Sequence, residues 1–514
     1  MKIAYLSSLL LITIFLSNNL FAQFQEDWFL MPDGLGLSNQ LEYSYDIKDK
    51  KEILENWFNL DYTKGIFSAG LRFDVFQPND PDPSINRGKL RYADIAYKYL
   101  KADIGDFDKS ISLTAGNFYA LFGRGLILKS YEERNIRVDN NLLGVKAEGR
   151  YMDFILTALT GMPENALAQR KDILHAVDLE YRGFQSLKIG GSFASNQSDV
   201  EGIARTTVAS LRVQPSVWNF NFYAEYGIKQ NEDIKKNVFN DDETIIGEAF
   251  YGSMDFYIGS FSVVGEVKHY DNFAFTTNDG TVFYNTPPSL RKEYTYQLLN
   301  RHPSPLEQSN ERGFQVEANY NLDDDNYYSA NFGLTETLPH SSYFQTVNGF
   351  NLPVFTQHKE IFVQANRNWS DKLSTILAFG YNEELQTNTK NFAPIIEQRF
   401  YFGDVNTLKI VIEHQHTTNR SNEEKYYSNV LALEYLRSPS LSISLVTEVE
   451  TKEPVPGGIV RKLWSFIRLG YKVWQSTDLS LLIGSRQAGN ICIGGVCRFE
   501  PEFRGIEFNM LTRF

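Results

Sequence analysis

Cys492 and Cys497 are the only two cysteines in 514 residues, and they sit in the run Cys492-Ile493-Gly494-Gly495-Val496-Cys497. If Gly494-Gly495 is a two-residue hairpin turn, Ile493 faces Val496 and Cys492 faces Cys497 in a non-hydrogen-bonded pair. The close backbone approach at such a pair accommodates a disulfide, and an exported chain meets oxidising conditions. Two free thiols and a metal site are the alternatives; no His or further Cys lies near enough in sequence to complete a metal-ligand set. His414 and His416 share one face of a strand, a spacing that suits a metal, but two histidines alone are a poor set. Signatures of catalysis are missing: the chain has no G-x-S-x-G, no H-E-x-x-H, no phosphate-binding Gly-rich loop and no C-x-x-C. The residues therefore assign no catalytic group, no metal and no cofactor.

Charged residues supply two further candidate sets. The stretch from Asn117 to Lys146, NFYALFGRGLILKSYEERNIRVDNNLLGVK, holds Arg124, Glu132, Glu133, Arg134, Arg137 and Asp139 between apolar flanks. It reads either as a loop folded into an enclosed space, its charges lining a constriction, or as a strand pair ending in a solvated hairpin. The second set is spread along the chain: Arg72, Asp74, Asp178, Glu180, Glu225, Glu266, Glu317, Glu413, Glu434, Glu448 and Glu450. Each falls on the polar phase of a segment that alternates in hydropathy. Carboxylates dominate this set, so if they line an open path they favour cations or neutral polar solutes over anions. If instead they pair with Arg72, Arg212, Lys268 and Arg399, they form a salt-bridged plug.

The elements that position these charges are strands. Trp218, Phe220, Phe222, Ala224, Tyr226 and Ile228 alternate with Asn219, Asn221, Tyr223, Glu225, Gly227 and Lys229. Phe67, Ala69, Leu71, Phe73 and Val75 alternate with Ser68, Gly70, Arg72 and Asp74, and the segment from Leu441 repeats the pattern. A period of two places one set on each face of a strand. Very short connections carrying turn chemistry, such as Thr63-Lys64-Gly65, Arg150-Tyr151, Pro215-Ser216, Gly259-Ser260 and Gly403-Asp404, alternate with longer polar loops, such as 77–88, 230–244, 272–312 and 337–359. Trp218, Trp369 and Trp474 each lie beside a short turn, as do Tyr181, Tyr257, Tyr320, Tyr401 and Tyr435, which is the arrangement of an interfacial aromatic girdle.

The ends of the chain say which solvent lies on which face. Met1-Lys2, the apolar run Leu9 to Leu16 and Leu20-Phe21-Ala22 before Gln23 read as a secretory signal peptide over residues 1–22. The closing segment alternates Ile506, Phe508, Met510, Thr512 and Phe514 with Glu507, Asn509, Leu511 and Arg513. A terminal Phe on such a strand is similar to the assembly signal of bacterial outer-membrane barrels. No stretch reaches the eighteen or so apolar residues of a transmembrane helix. A mean hydropathy of −0.33 beside 14% aromatic residues is unusual for a soluble enzyme but ordinary for a barrel with lipid outside and water inside. The net charge of −13 disfavours nucleic acid as a partner.

The stretch from Asn117 to Lys146, together with the closing strand, resembles an outer-membrane family of Bacteroidota-type bacteria whose function is unknown, over about Gly34 to Phe514. The resemblance implies an outer-membrane barrel and implies no activity. The expectation is then an all-β protein: residues 23–514 form one transmembrane antiparallel up-and-down β-barrel of about 20 to 24 strands, with short periplasmic turns and long external loops. Residues 23–34 are too few for the plug domain of a complete TonB-dependent receptor. Outer-membrane lipid and the barrel-assembly machinery are the expected partners, with small polar solutes as cargo of a channel or transporter. The alternative is a structural or assembly-associated barrel with a closed lumen and partner-binding loops. A third reading, a hydrolase with a Ser/His pair on the barrel wall, needs no sequence motif.

Overall fold

The two-residue alternation becomes 24 wall strands of 10 to 14 residues each. The computed structural model describes residues 32–78, 93–165, 168–198, 205–231, 245–290, 292–301, 310–338, 344–347, 350–353, 357–384, 388–452, 462–473, 476–493 and 496–513. Each wall strand pairs antiparallel with the next in the chain, and Leu35–Asp46 pairs with Phe503–Arg513 to close the sheet on itself. Closure leaves no unpaired edge, which is the condition for a sheet to stand in a hydrocarbon solvent. At its seam the register runs from Ser38 opposite Arg513 to Asp46 opposite Gly505.

One rim is made of short turns. At two of them the strands run two or three residues further than the turn chemistry suggests. Tyr151 still pairs with Phe154 and Val217 with Phe220, so the turns fall at Met152-Asp153 and Trp218-Asn219. Met152 and Trp218 adopt φ of 54° and 56°, the left-handed conformation usually left to glycine or asparagine in such turns. Bulky residues there hide the turns from sequence reasoning. The opposite rim carries the longer connections.

The apolar phase faces outward. Leu71 and Phe73 are 45% and 41% exposed, whereas Arg72 and Asp74 between and beside them are 5% and 6% exposed. Phe222 and Tyr226 are likewise exposed while Tyr223, Glu225 and Lys229 are buried, and Ile443, Leu445 and Val449 are exposed opposite buried Glu448. Trp218, Trp369, Tyr257 and Tyr320 stand exposed beside the short-turn rim, where amphipathic rings suit a lipid headgroup level; Trp474 lies outside the described residues.

A ring of this many strands encloses more space than wall side chains can fill. Two connections from the long-loop rim turn inward and occupy it. The first runs between the strands Lys109–Phe118 and Leu142–Tyr151, the second between Phe261–Asp271 and Glu311–Asn321. Among the described residues, two apolar clusters form where these segments meet the inner wall.

Candidate functional site: the filled lumen

The first inward segment starts from an apolar run that has no place on a solvated hairpin. Phe122, Leu126, Ile127 and Leu128 are at most 1% exposed. They pack with wall residues including Leu142, Leu174, Ala194, Val208, Tyr223 and Tyr251. Each such side chain contributes roughly 1.5–3 kcal/mol by leaving water, so this part of the segment is a core element. Its polar second half is tied to the wall by charge. Arg72 meets Asp74 at 2.9 Å, Glu132 at 2.9 Å and Asp139 at 2.5 Å. Arg137 pairs with the buried Glu55 at 2.9 Å. Arg134 pairs with Glu132 at 2.7 Å and lies over the Trp57 ring at 5.3 Å. Glu133 caps a short 3-10 turn, Arg134–Ile136, by accepting from the Asn135 N–H at 3.1 Å. Burial alone raises the Asp139 carboxyl, but the Arg72 guanidinium beside it holds it below the usual carboxylate range.

Arg124 stands apart from these pairs. It sits at the tip of the segment, stacked over Tyr223 at 4.8 Å and Tyr251 at 5.7 Å, and donates to the Tyr251 hydroxyl at 3.2 Å. Gly123, with φ of 53°, makes the tip possible. A Cβ there would lie 2.8 Å from both the Glu225 carboxylate and the Tyr223 hydroxyl.

Sequence reasoning classes the second inward segment with the polar loops and does not anticipate its entry into the lumen. The available signal is its apolar content. Phe273, Phe275, Tyr284, Leu290, Leu298 and Leu299 are all at most 3% exposed. Its first half locks onto the first segment. Asn285 donates to the Leu126 and Phe273 carbonyls at 3.0 and 2.9 Å, and the Lys129 N–H donates to the Tyr284 carbonyl at 2.8 Å. Lys229 of the wall donates to the Asn272 and Ala274 carbonyls. Its second half crosses to the opposite wall and is held mostly by carboxylates. Lys292 meets Glu317 at 2.5 Å, and the Tyr294 hydroxyl donates to Glu360 at 3.0 Å. The first N–H groups of the single helical turn Gln297–Asn300 donate to Glu413 at 3.0 and 2.8 Å, where an anion satisfies otherwise orphaned donors. Arg301 pairs with Glu448 and with the Gln487 side chain, and Gln297 adds a bond to Glu448 at 3.0 Å.

Each of the eleven wall residues singled out by alternation has a partner. Besides those above, Asp178 and Glu180 both meet Arg212. Glu225 accepts from Ser210 and Tyr223, and Glu266 accepts from Tyr251. Glu434 meets Lys409 at 3.0 Å, and Glu450 accepts from Gln487 at 2.9 Å. Lys268 is paired with Glu311, and Arg399 with Glu397. The carboxylates are thus anchors of the two segments and of the wall itself.

His414 and His416 lie on the outer phase of their strand, against the Tyr427 ring. No group of three or more metal-ligating side chains occurs among the described residues. The backbone register of the hairpin Gly489–Ile493 with Val496–Glu500 sets Cys492 opposite Cys497, while Gly494, Gly495, Phe514 and the side chains of the two cysteines lie outside the described residues.

The chain is similar in fold to the P pilus usher (PapC) translocation pore, 9% identical over 93% of this chain and 99% of that one, with a TM-score of 0.48. It is similar as well to the copper transporter OprC, 10% identical over 94% and 80% of the two chains, with a TM-score of 0.46. OpdK of Pseudomonas aeruginosa, solved with vanillate, is 13% identical over 74% of this chain and 98% of its own, with a TM-score of 0.38. No curated protein matches the sequence. A family profile does match, from residue 1 to residue 514, and the chain accordingly belongs to the Family of unknown function (DUF6029).

Proposed function

We propose that this protein is an outer-membrane channel or transporter for small polar solutes, without catalytic chemistry, whose lumen is gated by the second inward segment. The observation that carries the reading is the unequal seating of residues 292–301 and the rest of the inward chain. The first segment shares a twenty-residue apolar cluster with Phe273, Phe275, Tyr284 and Leu290 of the second, whereas residues 292–301 meet a smaller one and rely on Glu317, Glu360, Glu413 and Glu448. Water can replace polar contacts far more cheaply than it can replace apolar burial. Withdrawal of residues 292–301 removes Lys292 and Arg301 and leaves those carboxylates, with Glu450, facing the space vacated. Such a path favours cations or neutral solutes, more weakly as salt screens the charges.

The remaining parts of the reading are supported by the outer apolar belt and the ends of the chain. Residues 1–22 direct export as a cleaved signal peptide, the belt contacts outer-membrane lipid, and Phe514 on the closing strand engages the barrel-assembly machinery. A Bacteroidota-type source belongs to the same reading. Reversal potentials in a planar bilayer across a salt gradient test the reading. Cation-selective openings are expected, and anion-selective openings defeat the charge argument. A silent bilayer containing inserted barrel favours the second reading, a structural barrel with partner-binding loops, which the tight apolar seat of the first segment also suits.

A further inference from the structure

Between the tip of the first inward segment and the short-turn rim lies a polar recess of about 370 Å³. It is bordered by Arg124 of the tip and by Arg182, Lys188, Arg212, Asp178 and Glu180 of the wall, with Gln214, Thr157, Leu121 and Tyr223 between them. Four bases and two acids line it. Arg212 and Arg182 already neutralise Asp178 and Glu180, with Arg212 Nη1 to Asp178 at 2.6 Å and Arg212 Nη2 to Glu180 at 3.1 Å, and Arg182 paired to Glu180. Neither Arg124 nor Lys188 has a carboxylate partner among the described residues. Glu225 and Glu266 stand behind the recess as further negative charges; Glu225 faces Arg212 and accepts the Tyr223 hydroxyl, and Glu266 accepts the Tyr251 hydroxyl.

The recess is also built to hold its cations still. Gly190 lies opposite Arg212 in the sheet, and a Cβ there would come within 2.6 Å of the guanidinium. Arg212 is 2% exposed and its Nε has no hydrogen-bond partner, a donor whose desolvation is uncompensated. Arg124 is fixed over two tyrosine rings and uses one N–H on Tyr251, leaving the rest of its planar fork for a carboxylate or phosphate.

We propose that this recess binds a small anion, a carboxylate or a phosphate, between Arg124 of the inward segment and Lys188 of the wall. Arg124 and Lys188, the two bases without a carboxylate partner, set the sign of the ligand, and the volume suits a small molecule. The site differs in character from the carboxylate-rich wall under residues 292–301, and a bound anion fastens the first segment to the wall from the short-turn side.

Isothermal titration of the purified full-length barrel in neutral detergent, with succinate and with inorganic phosphate as separate probes, tests the assignment. Saturable binding of either probe is expected, weakening as salt rises, and the probe that binds identifies the class. Arg124→Gln and Lys188→Gln should each weaken binding about tenfold, the size of a lost charge-assisted contact, whereas Lys409→Gln, elsewhere on the inner wall, should leave it unchanged. Lys188 borders the short turn and its replacement disturbs no packing, so a folding defect at Arg124 does not remove the test. Absence of saturable binding by both probes overturns the proposal, and so does wild-type affinity in Lys188→Gln. The titration requires no flux, so its outcome is independent of whether the barrel conducts.

Discussion

Replacing Arg301 by alanine should open the lumen. The Arg301 and Glu448 side chains are 13% and 3% exposed, and Glu448 sits on the wall strand Leu441–Glu450 while Arg301 ends the inward helical turn. Removing one member of a buried pair leaves the other charged in a poorly solvated place, at a cost of about 3–5 kcal/mol. Gln297 still donates to Glu448 at 3.0 Å and water enters the gap, so the lower end applies. A loss of about 3 kcal/mol in the seated state multiplies the ratio of open to closed lumen by roughly a hundred. Glu448→Ala should act in the same direction, because it strands Arg301. The double variant Arg301→Ala/Glu448→Ala removes both charges, and its effect should be much smaller than the sum of the singles. Single-channel recording in a planar bilayer reads open probability directly. An Arg301→Ala barrel that opens no more often than wild type refutes the seat. A double variant that shows the full sum of the two single effects refutes it as well, because the pair would then have no coupling.

Four other outcomes follow from particular contacts. Gly123→Ala forces a Cβ to 2.8 Å from Glu225 and Tyr223 at a φ of 53°, so the folded barrel should lose about 2 kcal/mol or more in urea unfolding, from left-handed strain plus displaced contacts. Unfolding midpoints unchanged from wild type would remove the tip from its assigned position. Acidification should loosen the polar half of the first segment. The Asp139 carboxyl is held below its ordinary value, so its stabilisation is fully present above about pH 4 and disappears as pH falls through the lowered value. The fluorescence of Trp57, which lies under Arg134, should change below about pH 4 in wild type but not in Asp139→Asn. Thiol labelling of denatured, unreduced protein should find no free thiol if Cys492 and Cys497, opposite each other in the backbone register, are bridged; reduction should cost little stability because the closed loop is short. Deletion of Phe514 should lower the yield of heat-modifiable barrel in outer-membrane fractions, and equal assembly of the truncated chain would discount the terminal signal.

Much of the wall is legible in the residue pattern itself. Alternation at period two is a local property, and it correctly separates Leu71 and Phe73 from Arg72 and Asp74, and Phe222 and Tyr226 from Glu225 and Lys229. It also sets Asp178, Glu180, Glu413 and Glu448 on the buried phase of their strands, and the turn and loop lengths bound the strand count that closes at 24. Turns at Met152-Asp153 and Trp218-Asn219 escape because residue type alone does not announce their left-handed backbone.

What occupies the lumen is decided by tertiary structure alone. Alternation states that Glu413 and Glu448 point inward, but it is silent on whether water, an ion or protein meets them there. The answer comes from residues more than a hundred positions away, the Leu298 N–H and the Arg301 guanidinium. The same holds for Arg72, whose carboxylate partners Glu132 and Asp139 arrive on a loop that returns through the barrel. Strand pattern is set by nearest neighbours along the chain, so sequence carries it openly. The destination of a loop depends on which cavity its apolar residues can fill once the barrel has closed, and only the closed barrel has that cavity.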